Sequence, residues 1–151
     1  MTDPPAFFVP DGGRFLATEL TRGPWSPLHQ HGGPSSALLA RAIELFPSDG
    51  IEFQVARMTV EFLKPIPIAA FSLRTEVVRS GRKTRIILAW LETGGQKVVQ
   101  ATGLCIRRAD VPVPPTRIPV AEPPIPTPYL SDPFQFPFFP DSIGYHTAME
   151  G

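Results

Sequence analysis

The sequence predicts an α+β domain in which a strongly curved antiparallel sheet wraps around one long helix. Three observations predict it. One well-marked helix start, His31-Gly32-Gly33-Pro34, precedes the apolar run 35–43; from Glu52 onward the hydrophobic period changes to two; and glycine turns at Ser80-Gly81 and Gly94-Gly95 fold the later strands back on one another. No strand-helix-strand alternation calls for a parallel sheet, and no internal repeat is present.

Taken in order, residues 14–20 read as a short first strand after the Asp11-Gly12-Gly13 turn. The helix is expected from about residue 35 to 46, with Ser35 and Ser36 as caps and the breakers Pro47-Ser48-Asp49-Gly50 ending it. Its interior is mostly apolar, which predicts burial on more than one side. Ala56, Met58, Val60 and Phe62 then alternate with Arg57, Thr59 and Glu61, and Phe71, Leu73, Thr75 and Val77 alternate with Ser72, Arg74 and Glu76. Lys64-Pro65-Ile66-Pro67 separates these two strands. With 84–92 and 97–107 they are expected to form a four-stranded meander after the helix.

A chain of 151 residues has the size of one ordinary domain. Fourteen basic and fourteen acidic residues cancel, so total charge offers no case for nucleic acid or an anionic membrane surface. A single cysteine, Cys105, excludes an internal disulfide and fits a reducing compartment. Neither a leader nor a spanning segment of roughly 20 apolar residues can be read, so a soluble cytoplasmic protein without membrane insertion is expected. Of the 20 prolines, most fall in residues 111–140. That places a folded domain at 1–110 and an extended linker at 111–140. The aromatic patch Phe134, Phe136, Phe138 and Phe139 is too apolar for a free linker and is expected to pack on a surface or a partner.

Chemistry concentrates at the helix start. A helix N-terminus carries unpaired N–H groups and the positive end of the dipole, which can hold a carbonyl oxygen that turns negative during acyl transfer. Gly33 is therefore either the backbone donor of such a site or a glycine required by the turn alone, and His31 orients the loop or bonds a ligand. His29 and His31 lack a third ligand nearby, so no metal is expected. Ser35 and Ser36 have no adjacent base and read as caps, not nucleophiles. Arg79, Arg82, Lys83 and Arg85 surround the Ser80-Gly81 turn, where they suit phosphate groups or form a solvated basic hairpin. Cys105 reads as a structural thiol.

Four separate stretches carry a family likeness. Gly23-Pro24-Trp25-Ser26-Pro27 with His29-Gln30-His31-Gly32-Gly33-Pro34 and the helix after it, 59–67, and 77–83 with 101–104 together resemble the first hotdog domain of thioesterases related to acyl-CoA thioesterase II. The resemblance implies a hotdog fold and an acyl-CoA substrate, with coenzyme A present only as part of that substrate. It also implies that residues 141–151 open a second hotdog domain, and that the catalytic Asp, Gln and Ser or Thr belong largely to that domain. In related single-domain thioesterases the helix carries an acid nine positions after the histidine, where this sequence has Ala40. Glu44 lies roughly 16 Å along the axis from Gly33 and is a poor base for that site. Three functions follow: an acyl-CoA thioesterase, a non-catalytic acyl-CoA binding and dimerising half, and, last, an enoyl-CoA hydratase. An open sheet edge makes a homodimer or higher oligomer the expected assembly.

Overall fold

The computed structural model describes residues 6–47, 50–112, 114, 124 and 143–148. Helix α1 spans Gly32–Glu44 and starts three residues earlier than expected, because His31 rather than a serine is its N-cap. His31 is extended (φ −68°, ψ 149°), and its Nδ1 accepts the Gly33 N–H at 3.1 Å. The serines are engaged elsewhere: Ser35 Oγ donates to Gln30 Oε1, and Ser36 Oγ donates to the Gly32 carbonyl. Pro34 falls within the first turn, where a missing N–H leaves no carbonyl unpaired. At the other end the Leu45 N–H returns to the Arg41 carbonyl just ahead of Pro47.

Among the described residues six strands form one antiparallel sheet. β1 (Phe8–Asp11) and β2 (Arg14–Ala17) make a hairpin across Gly12 and Gly13, whose φ of 53° and 83° favour glycine in a tight turn. β3 (Phe53–Phe62), β4 (Ala70–Ser80), β5 (Thr84–Thr93) and β6 (Gln96–Arg107) follow α1. The spatial order is β1-β2-β4-β5-β6-β3, so the expected four-strand meander is corrected: β3 pairs with β6 at the far edge and not with β4. The cause lies in residues 63–69. Their two prolines cannot close a tight hairpin, and the Ile66 carbonyl is held by the Gln30 N–H, which draws the chain across the helix start.

The core fills the concave side. Leu38, Leu39 and Ile43 of α1 meet Phe71, Ile87, Ala89, Leu91, Val99, Ala101 and Cys105 of the sheet. Each buried Leu, Ile or Phe contributes about 1.5–3 kcal/mol by leaving water. Gly103 allows the close approach of helix and sheet, since a Cβ there would stand 2.6 Å from Ile43 Cγ2. A bulge between Val55 and Arg57 turns Ala56 outward, so the core face of β3 is Phe53, Val55, Met58 and Val60 rather than a face that includes Ala56. A second bulge between Val77 and Arg79 adds to the twist that curls the sheet.

Burial of α1 is narrower than its composition predicts. Pro34, Ser35, Leu38, Leu39 and Ile43 are buried, while Ala37, Arg41 and Glu44 are exposed. Alanines count as apolar in a pattern yet bury little area, so they do not compel a second covered face. Of the proline-rich stretch only 111, 112, 114 and 124 are described, and Phe134, Phe136, Phe138 and Phe139 lie outside the described residues. Residues 143–148 return to the domain, with Tyr145–Ala148 forming one helical turn, α2.

Candidate functional site

The loop that delivers His31 is fixed from several sides. Its backbone bonds run from the Gly23 N–H to the His29 carbonyl, from the Gln30 N–H to the Ile66 carbonyl, and from the His31 N–H to the Thr21 carbonyl at 2.6 Å. Gln30 is the buried bolt of this loop. Its Nε2 donates to the Pro67 carbonyl at 2.8 Å and its Oε1 accepts from Ser35 Oγ at 3.0 Å, so it ties the helix to the crossover. Residues 29–33 are held in this way with little freedom left.

The surroundings of Gly33 follow from that frame. Two aromatic rings stack nearly parallel to the His31 imidazole, Trp25 at 5.8 Å and Tyr145 at 4.2 Å. An Nδ1 that accepts the Gly33 N–H is unprotonated, which puts the proton of the neutral ring on Nε2. Burial pushes the His31 pKa below its ordinary 6.5, in keeping with that neutral form. Neither Gly32 nor Gly33 has a positive φ, so the turn itself does not demand glycine, and what their small size spares is the neighbouring aromatic rings. A Cβ on Gly32 would meet Phe62 Cζ at 2.8 Å, and one on Gly33 would meet the Tyr145 hydroxyl at 2.9 Å.

The basic residues lie at the other end of the helix. Arg79, Arg82 and Lys83 are exposed at the β4–β5 turn. Arg85 departs from them and faces inward in register with buried Cys105. Its guanidinium lies 4.5 Å over the Phe53 ring and donates to the Pro47 carbonyl, so it ties the exit of α1 to the sheet. Burial raises the Cys105 pKa, with the Arg85 charge opposing and Glu44 adding to the rise. Gly33 and the exit of α1 are separated by most of the helix, about 16 Å at 1.5 Å per residue. The chain therefore does not bring its own helix start and basic turn together.

Two residues of this region were given no role by sequence reasoning: Gln30 and Tyr145. Gln30 carried a signal, a polar residue beside a loop of glycines and prolines; the contact of Tyr145 with His31 spans more than a hundred positions and leaves none. Among the described residues no group of three His, Cys, Asp or Glu side chains is placed to hold a metal ion. No helix among them is long and apolar enough to cross a membrane.

A family model described as the acyl-CoA thioesterase N-terminal domain matches residues 21–106, which take in the His31 loop, α1 and β3 to β6. The chain belongs to this family. No curated protein matches it. Among solved structures it is similar to the Escherichia coli PaaI protein of the phenylacetic acid degradation operon, at 18% identity and TM-score 0.57 over 64% of this chain and 70% of that one. A Bacillus halodurans protein whose crystal structure contains CoA is similar at 19% identity and TM-score 0.53, over 63% of this chain and 69% of that one. A hot dog fold protein from Alicyclobacillus acidocaldarius matches at 22% identity and TM-score 0.56, covering 87% of this chain but only 49% of that longer one. At these identities the likeness concerns the fold, and the curved six-stranded sheet around α1 is the hotdog fold.

Proposed function

We propose that this acyl-CoA thioesterase-family domain binds acyl-CoA thioesters with the thioester carbonyl at the first turn of α1, where the Gly33 N–H polarises it. The observation that carries this reading is the Gly33 amide itself. It is a first-turn donor held by a side-chain acceptor, His31 Nδ1, so a carbonyl oxygen can take that place without disturbing the helix ladder. The CoA found in the Bacillus halodurans relative supports the ligand class. In hydrolysis, water adds to the carbonyl, the oxyanion gathers charge against Gly33 N–H and the helix dipole, and CoA thiolate leaves.

A base for the water is the open requirement. The helix places Ala40 where related domains have an acid, and its own Glu44 is exposed at the far end. This favours a second reading, in which the chain binds the thioester and another domain or subunit supplies the base. A homodimer is proposed with either reading. β3 is an edge strand, and antiparallel pairing of two such edges about a twofold axis sets the basic turn of one subunit level with the helix start of the other. Arg79, Arg82 and Lys83 are then the proposed contacts for CoA phosphates, while Arg85 serves the fold.

The test is release of CoA thiol from acetyl-, octanoyl-, palmitoyl- and phenylacetyl-CoA by the folded chain and by Gly33→Pro, which lacks the N–H. Turnover lost in the variant supports hydrolysis at Gly33. Binding without turnover selects the second reading, and turnover unchanged by the variant contradicts both.

A further inference from the structure

The segment 143–148 sits on the place just assigned to the thioester. Its anchoring is specific but small. The Tyr145 N–H donates to the Arg22 carbonyl at 3.0 Å, and Arg22 Nη1 donates to the Ile143 carbonyl at 3.0 Å. Gly144 is buried against this contact, since a Cβ on it would stand 3.0 Å from the Arg22 carbonyl oxygen. Thr147 closes the turn by donating its hydroxyl and N–H to the Gly144 carbonyl. The result is a short hook that presents the Tyr145 ring.

That ring covers the site. Tyr145 stacks on the face of His31 at 4.2 Å with 7° between the planes and makes a tilted contact with Phe7 at 5.8 Å. Its hydroxyl lies 2.9 Å from the point where a Gly33 Cβ would be, so the side-chain direction of Gly33 is filled, while the Gly33 N–H itself points at His31 Nδ1. A thioester carbonyl reaching the Gly33 N–H has to displace the His31 imidazole that accepts from it, and the stacked Tyr145 ring holds that imidazole in place. We propose that Tyr145 and its hook form an intrachain strap that competes with acyl-CoA for the start of α1. This rests on the reading of Gly33 as the thioester site.

A strap of this kind lowers apparent affinity by the fraction of time the site stands open. The experiment is calorimetric titration of the full chain with acetyl-CoA and octanoyl-CoA, in the parent, in Tyr145→Ala and in Gly144→Val. The second variant leaves Tyr145 in place and crowds the main chain of Arg22, so it releases the hook by a different route. Gly33→Pro is titrated alongside. For a strap closed about nine-tenths of the time, both releasing variants bind about tenfold tighter than the parent. Unchanged or weaker binding in either releasing variant, with affinity still lost in Gly33→Pro, overturns the strap and leaves the thioester site standing. Binding by none of the chains removes the thioester reading, and the strap as its competitor with it.

Discussion

Protonation of His31 on Nδ1 removes the acceptor that caps α1, so the cap is a pH-dependent element. The folded pKa is held below 6.5, and a group so shifted binds more protons when unfolded. Its contribution to stability is therefore complete above about pH 6.5 and is lost as pH falls through and below that value. Urea midpoints measured from pH 8 to pH 5 should decline, and in His31→Gln the decline should be shallower. At pH 8, His31→Ala should lower stability by about 0.5–2 kcal/mol, the usual cost of losing an N-cap. The sequence announced this site by composition: two glycines and a proline told of a helix start and an exposed amide. It did not announce the cap, because histidine is an uncommon N-cap and the serines nearby are better ones by type. Only the bond between Ser35 and Gln30 explains why Ser35 is not free to serve.

At the level of elements, strands and tight turns were legible and their neighbours were not. A period of two told that Met58 and Val60 of β3 face the core, but it told neither of the bulge that turns Ala56 outward nor of which strand lies beside β3. The β3 crossover depends on Gln30 holding both Ile66 and Pro67 beside the helix start, a contact between residues more than thirty positions apart in sequence. β1 was overlooked because its four residues include Pro10 and only Phe8 is partly buried, so little pattern remains. Gly103 gives a direct test of how closely α1 sits on the sheet. Gly103→Ala places a methyl against Ile43 and should cost about 1–3 kcal/mol by chemical denaturation, as overpacking does. Retained stability there would mean that helix and sheet stand further apart than described.

At the scale of the whole molecule, one hotdog unit holds the two ends of its proposed ligand site at opposite ends of α1. Sedimentation velocity should show a dimer, and a monomer at all working concentrations would contradict the edge pairing of β3. Within that dimer Arg82→Ser together with Lys83→Ser should weaken acyl-CoA binding about tenfold and flatten its salt dependence, as expected when charge-assisted phosphate contacts are lost. The same pair should leave the urea midpoint unchanged, since both side chains are exposed. Little of this scale could be read from the chain beforehand: the family likeness gave the unit, but whether the basic turn belongs with Gly33 depends on distances across a folded helix. The central claim is that the Gly33 amide takes the thioester carbonyl, and the most direct measurement is a titration of the ¹⁵N-labelled chain with a non-hydrolysable thioether analogue of octanoyl-CoA and with its acyl ketone counterpart. The account predicts a large Gly33 amide shift with the ketone, which keeps the carbonyl, and a much smaller one with the thioether, which lacks it. Equal shifts, or a Gly33 signal that stays in place while other residues respond, would contradict it.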